Sequence, residues 1–497
     1  MMRKGIITLC AFAFVLLSMG NVTMASNDNV SYEKARQVAV ACVAHATDGE
    51  EADASLVYQI SNPLTGAAAL YFFNVADKGF AIVSGCTAAM PVVGYSAEGV
   101  LDNTNFPPNM MAWLEGYASM VIDAQNQGIE PTDEVAKEWK KYESGYGLGP
   151  SKANIKLMSE KWGQGENIRP TYNLYCPKLG SYYCVSGCLP TAMAQVMHYW
   201  QFPKVGANRK GYREKYLDEN GNIAQRSSVW INFNQTYYDY AQMPSVKLMS
   251  SSDSATIKAT ALLMFHAGVA VGADYGVDGT SAYPTDMASA FSRYFKYKTG
   301  TLVVRDNYSD YNDWVEIIRA EIDAKRPVIY GGASPSGGGA DAGGHAFVCH
   351  GYQTNTNYFA INWGWDGSSD GWFNLASVHG LRPTGTSYNF SQDQHALIGL
   401  EPPDDSNIYV GIRQIEPEQA TVFPAYPNPA CYSVTIPYLV EHSQGAVLGV
   451  YDMSGRLVES RPLVAGSNSV EINVAGYPQG VYFYRVGGGK ACKFVVQ

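Results

Sequence analysis

The segment Cys184-Val185-Ser186-Gly187-Cys188-Leu189-Pro190-Thr191-Ala192-Met193 sets a thiol at a place suited to nucleophilic chemistry. Leu189, Met193, Val196, Met197 and Trp200 recur on one helical face, and Pro190 suits a first turn, where its missing N–H costs nothing. Cys188 therefore stands at or just before a helix N-terminus. Unpaired N–H groups and the positive end of the helix dipole favour the thiolate there. The bland alternative is a buried cysteine packing as a small hydrophobe. A second signal is Gly343-Gly344-His345-Ala346-Phe347-Val348-Cys349-His350-Gly351-Tyr352. Strand alternation puts 345, 347 and 349 on one face and 346, 348 and 350 on the other. His345 leaves a Gly-rich loop, Ser334 to Gly344, at the accessible beginning of that strand. His350 points the other way and is expected to be structural. No second ligand pair at metal spacing accompanies His345, Cys349 and His350, so no metal is expected, and nothing in the set calls for a cofactor.

The third signal, Asn362-Trp363-Gly364-Trp365-Asp366-Gly367, follows the strand-like Tyr358–Ile361. An imidazole that takes a thiol proton needs an orienting acceptor. The Asn362 amide can supply one, with Trp363 shielding the bond from water. The alternative is an aromatic-rich packing turn. Cys188, His345 and Asn362 follow the Cys…His…Asn order of papain-like peptidases, and the Cys-to-His separation is close to the roughly 130–150 residues of that arrangement. Upstream, Lys161-Trp162-Gly163-Gln164-Gly165 provides an amide at Gln164 that can serve an oxyanion together with the Cys188 backbone N–H.

Stepping outward, the elements that must hold these groups form an α+β pattern, helices first and strands later. Helices are predicted at Leu189–Trp200, Ala255–Gly268, Pro284–Tyr297 and Tyr311–Ala324. Strands are predicted at Pro327–Gly331, His345–Tyr352, Tyr358–Asn362 and Gly371–Leu375. Before them, helices at Tyr32–Ala46, Pro108–Asn126 and Thr132–Tyr142 and strands at Ser55–Ile60, Ala69–Val75, Gly79–Val83 and Pro91–Tyr95 make a small α+β region. The Gly-rich Ser144–Ser151 ends it as a linker. After the polar run Glu401–Ser406, Thr421–Val496 has short strands with turn signals at Pro427-Asn428-Pro429, Met453-Ser454-Gly455 and Pro478-Gln479-Gly480, as in a small β-sandwich.

At 497 residues about three domains are expected. The formal net charge of −10 and the lack of a Lys/Arg cluster argue against nucleic acid as a partner. Arg3 and Lys4, the apolar run Ile6–Met19 and Thr23-Met24-Ala25 form a secretory signal peptide, too short in its apolar part to span a bilayer. No integral membrane span is expected. Beyond Cys10, eight cysteines in so long a chain are not a disulfide scaffold. Their even number permits pairs, with Cys176–Cys184 and Cys431–Cys492 as candidates.

At these residues the chain resembles the streptopain family of bacterial cysteine peptidases. The resemblance rests on Trp162-Gly163-Gln164, Gly187-Cys188 with Thr191–Met197, Gly343–Val348, Asn362–Trp365 and Ser369-Asp370-Gly371. Gly79–Ser84 and Pro91–Ser96 resemble the family's propeptide. The resemblance implies a papain-like fold and endopeptidase activity on proteins, with Cys188 as nucleophile, His345 as base, Gln164 as oxyanion donor, and Asn362 and Trp363 supporting the His. It also implies an intramolecular inhibitor that must be cleaved away, and part of a substrate cleft at Asp274–Ala282 taking a bulky apolar side chain. The long loop before His345, and Cys184 so close to the nucleophile, depart from the pattern and bear on specificity. The tail resembles a type IX secretion sorting domain through Ala425–Pro429, Val450–Arg456 and Gly480–Val486. It implies recognition by outer-membrane secretion machinery and a place outside, or on the surface of, a Gram-negative cell. The expected layout is signal peptide 1–25, inhibitory propeptide 26–150, peptidase 151–402, linker 403–420 and β-sandwich sorting domain 421–497. Competing readings are amide hydrolysis or acyl transfer other than proteolysis, an adhesin or binding protein on a degenerate peptidase scaffold and, for the tail, a carbohydrate- or cell-binding sandwich.

Overall fold

Ala68–Val75 and Gly79–Ser84 are apolar nearly throughout and buried, because both faces of the sheet they join are covered. The computed structural model describes residues 29–46, 53–76, 78–144, 154–217, 223–308, 311–333, 344–354, 356–375, 392–403, 420–422, 424–440, 447–453, 456–463, 466–486 and 491–497. The expected signal peptide, the glycine-rich part of the linker and residues 334–343 of the loop before His345 lie outside these. The helices are α1 (Tyr32–Ala46), α2 (Pro108–Gln127), α3 (Asp133–Glu143), α4 (Cys188–Trp200), α5 (Ser254–Val271), α6 (Met287–Phe295) and α7 (Tyr311–Asp323).

One large sheet contains β1 (Ala54–Ser61), β2 (Ala68–Val75), β3 (Gly79–Ser84), β4 (Val92–Ser96), β5 (Asn154–Lys156), β6 (Thr301–Val304), β7 (Val328–Ala333), β8 (Gly344–Gln353), β9 (Tyr358–Asn362), β10 (Gly371–Asn374) and β11 (Gln392–Ile398). Its order is β1-β2-β3-β4-β10-β9-β8-β7-β11-β6, with β5 pairing the far end of β8. The N-terminal lobe thus adds its strands directly to those of the later region. The seam is β4 on β10, in register at Tyr95↔Trp372 and Gly94↔Phe373. A Cβ at residue 94 would overlap the Phe373 ring, so the close approach needs glycine.

The sheet separates two cores. One gathers α4, α5 and α6 against Ala346, Val348 and Leu397. The other gathers Trp113, Leu114 and Val121 of α2 and Trp314 and Ile318 of α7 against Phe347, Cys349, Phe359, Trp363 and Phe373. Every residue of α4 after Cys188 is buried, so the helix that begins at the thiol runs through the first core. The Asp253 carboxylate accepts the N–H groups of Ala255 and Thr256 and starts α5, and Gly272 in the left-handed region ends it. Among the described residues α5 is the one helix long and apolar enough to cross a membrane, and it is mostly buried.

The predicted helix at Pro284–Tyr297 is found as a 3₁₀ turn, Pro284–Asp286, running into α6, which Lys296 closes at φ +61°. A hairpin, Arg209–Leu217 with Ile223–Asn232, has no counterpart among the predicted elements, because its charged sequence lacks apolar alternation. Cys42, Cys86, Cys176, Cys184, Cys188, Cys349, Cys431 and Cys492 form no disulfide in the structure, unlike the pairs the even count permits. Ala430 is bridged to Val496, placing Cys431 at the end of the last strand away from Cys492.

The C-terminal unit, described from Ala420, holds two sheets. One orders Ala420–Val422, Ser433–Val440 and Gly466–Asn473. The other orders Leu457–Pro462, Val447–Tyr451, Gly480–Val486 and Cys492–Val496. Val434, Ile436, Leu448, Val450, Tyr484 and Phe494 are buried together, as the expected sandwich requires.

Candidate active site

α4 begins at Cys188 with Gly187 as its N-cap at φ +90°. A side chain at 187 would be strained by that φ and would meet Thr280 at 2.9 Å, so glycine lets the two segments touch. The Thr191 hydroxyl and N–H both donate to Gly187 O, at 2.8 and 3.1 Å, and tighten the first turn. The Asp274–Ala282 segment flanks this turn. Val185 N–H donates to Gly276 O at 3.0 Å, and the Thr280 hydroxyl donates to Val185 O at 2.6 Å. On the other side, Ser186 N–H and its hydroxyl both donate to Gln164 O at 3.0 Å, tying Gln164 two residues ahead of the thiol.

His345 reaches the same place through β8, where it lies opposite Gly332 and is half-buried. The N–H of the next residue, Ala346, donates to Cys188 Sγ at 3.4 Å. Burial pushes the Cys188 thiol up, while the N–H groups of Ala346, Leu189 and Cys188 itself pull it down. In this covered state burial outweighs the thiolate-favouring helix terminus expected from the sequence. His350 is structural, as its facing predicts. Met158 N–H donates to its Nδ1 at 3.2 Å, and burial, with Lys156 adding to it, lowers the imidazole to about 3. Cys349 packs on the other side of β8.

Asn362, 2% exposed, sits opposite Val348 in the register rather than opposite His345. Its Nδ2 donates to Glu160 O (2.6 Å) and Gln195 Oε1 (2.9 Å); its Oδ1 accepts from Gln195 Nε2 (3.1 Å) and Gly364 N–H (2.9 Å). Those four bonds take up the amide's capacity. Trp363 is buried against Phe347 and Phe373, with ring centroids at 4.8 and 4.9 Å. Its indole N–H donates to Ser369 O at 3.1 Å and its backbone N–H to Asp370 Oδ1 at 2.9 Å. Burial raises the Asp370 carboxyl to about 7 against the pull of that N–H. The structure thus brings Cys188, the His345 strand and Gln164 to one place, and seats Asn362 and Trp363 in the turn beneath.

Sequence reading missed several partners. Asn109, from the second residue of α2 and 2% exposed, donates through Nδ2 to Trp363 O (2.7 Å) and Ala346 O (3.2 Å). A polar residue beside an otherwise apolar stripe, Met110, Trp113, Leu114 and Tyr117, was the available signal. Gln195 and His198 stand likewise as polar residues in a helix buried all round.

A thiol at a helix N-terminus, a histidine-bearing strand against it and an amide loop alongside define a cysteine peptidase. Residues 162–373 match the model of the peptidase C10 family, that of streptopain. Residues 27–121 match the Spi protease inhibitor domain and residues 424–497 the secretion system C-terminal sorting domain. Streptopain of Streptococcus pyogenes is 28% identical over 355 residues, covering 67% of this chain and 81% of streptopain. The thiol protease/hemagglutinin PrtT of Porphyromonas gingivalis is 28% identical over 340 residues; the match spans 67% of this chain and 37% of PrtT. A fragment of Prevotella intermedia prointerpain A superposes with a TM-score of 0.56 at 26% identity, covering 71% of this chain and 99% of the fragment. Active interpain A is 32% identical, covering 49% of this chain and 93% of that one, with a TM-score of 0.40. The protein is a papain-like cysteine endopeptidase made as a zymogen, and its sorting domain places it outside or on the surface of a Gram-negative cell.

Proposed function

We propose that Cys188 attacks the scissile carbonyl of a protein substrate while His345 takes the thiol proton. His345 then returns that proton to the leaving amine, and water hydrolyses the thioester. The Gln164 side-chain amide and the Cys188 backbone N–H donate to the oxyanion. Trp363 shields the His345 side of the site. Asn362 acts one step back, holding the turn that carries Trp363. Asp274–Ala282 forms a wall of the pocket for a bulky apolar side chain preceding the residue at the cut. The observation that carries the reading is the Ala346 N–H on Cys188 Sγ, which sets the strand of His345 against the start of α4.

Residues 26–150 act as the intramolecular inhibitor, 151–402 as the peptidase and 421–497 as the address for the outer-membrane secretion machinery, with 1–25 as signal peptide and 403–420 as linker. Asn109 supports the inhibitory role. Its amide bridges the strand that bears His345 and the Trp363 turn.

The test is incubation of the precursor lacking residues 1–25 beside its Cys188→Ala variant, under mild reduction at neutral pH. The unsubstituted chain should shorten near residue 150 and then digest casein, while the variant does neither. A chain cut in the linker by added protease that still leaves casein intact, with Cys188 inert to iodoacetamide, would sink the proposal.

A further inference from the structure

The loop bearing Gln164, residues 157–165, has no regular secondary structure, so its course is set by hydrogen bonds to neighbouring segments, among them the two from Ser186 to Gln164 O. The geometry points to the buried pair Glu160–His198 as the positioning device for this oxyanion loop, a role that rests on the assignment of Gln164 above. Glu160 and His198 are 6% and 7% exposed. Glu160 Oε1 lies 2.7 Å from His198 Nδ1, and Ser159 N–H donates to Glu160 Oε2 at 3.0 Å. His198 Nε2 donates to Met243 O at 2.7 Å, since a carbonyl can only accept. Met243 belongs to the segment that receives the rest of the loop. Lys161 N–H donates to Ser245 O at 2.6 Å, and the Trp162 indole N–H to Pro244 O at 2.7 Å. The Trp162 ring lies on the His198 ring with centroids 4.8 Å apart.

His198 and Gln195 are both on α4, the helix whose first residue is Cys188. Gln195 Oε1 accepts Trp162 N–H at 3.4 Å and pairs with Asn362, whose Nδ2 reaches back to Glu160 O. One helix therefore carries the nucleophile at its start and, on its later turns, the two side chains that anchor the oxyanion loop. The thiol and the Gln164 amide are referenced to the same rigid body. A buried polar pair of this kind contributes little stability over an apolar pair of similar volume. What it supplies here is direction, because its hydrogen bonds tie Ser159 of the loop, through α4, to Met243 of the segment on which the loop lies. Loss of the pair lets Gln164 drift relative to Sγ while the thiol and His345 stay in place.

Glu160→Gln and His198→Gln, made in the full-length precursor and matured, test this with two readouts. Peptide hydrolysis passes through an oxyanion; alkylation of Cys188 by iodoacetamide does not. We expect kcat to fall about 10–100-fold, the scale of a misplaced oxyanion donor, with KM and the alkylation rate within about twofold of the unsubstituted enzyme. Alkylation falling in step with kcat would assign the pair to the dyad or to general stability, and unchanged kcat would remove it from catalysis; either overturns the inference. If both variants lose cooperative melting, Trp162→Phe, which removes the bond to Pro244 O and trims the ring that packs on His198, carries the same comparison at smaller amplitude. Failure of the peptidase reading has a different signature: the unsubstituted enzyme itself would leave peptide intact, and the positioning role would fall with it.

Discussion

The two faces of β8 have different owners. Ala346 and Val348 face a core built by the peptidase's own α4, α5 and α6. Phe347 and Cys349 face a core that α2 of the N-terminal lobe helps to build, with Trp113 against Trp363 and Phe373 at 6.4 and 5.7 Å. The first core is complete without the propeptide. The second is finished by it, and β4 on β10 extends the peptidase sheet in the same stroke. Cys188 and the Gln164 loop are anchored on the permanent face, and the Trp363 turn on the shared one. Removal of the N-terminal lobe is therefore expected to change the shared side of the site and to leave the α4 side as built.

The largest test contrasts the faces directly. Trp113→Ala should destabilise the precursor by about 3–5 kcal/mol and speed its linker cleavage, while the matured enzyme, freed of residue 113, is unchanged. Met193→Ala, in the α4 core, should cost about 2–5 kcal/mol in both forms. Urea unfolding of precursor and mature chains reads both, and a precursor indifferent to Trp113→Ala would break the division.

Acid provides a second contrast. His350 is lowered to about 3 and His266 to about 4 by burial, against an ordinary 6.5. The unfolded chain therefore binds protons below pH 6.5 that the folded chain refuses, and stability falls as pH drops. By pH 5 the loss is about 2 kcal/mol per ring. Asp370 works in the opposite sense, since a carboxyl raised to about 7 adds stability as pH falls from 7 toward 4. Both histidines lie on the permanent side, so precursor and mature enzyme should share the acid slope in melting experiments. His350→Asn, which keeps an acceptor for Met158 N–H, should flatten it.

The smallest expected effect is at Asn109. Its replacement by Ala removes two hydrogen bonds and should cost about 1–2 kcal/mol of inhibition, raising the precursor's activity on a small peptide roughly tenfold. Unchanged activity would mean that the apolar contacts of α2 alone close the site.

Much of this was legible beforehand. The start of α4 at Cys188, the alternation around His345 and the helix and strand order of the peptidase region all follow from local periodicity, which the chain carries within ten or so residues. Asn362 shows where that ends. Its type and place in the Cys…His…Asn order suggested a partner for His345, yet its amide is taken up by Gln195, Glu160 and Gly364. Residue types and local pattern are enough to say which residues have reactive chemistry and which elements carry them. Tertiary structure alone decided that β4 joins β10, that Asn109 reaches Ala346 and Trp363, and that Glu160 meets His198. Those pairings join residues far apart in the chain, where periodicity holds no information and only the packing of both cores selects partners.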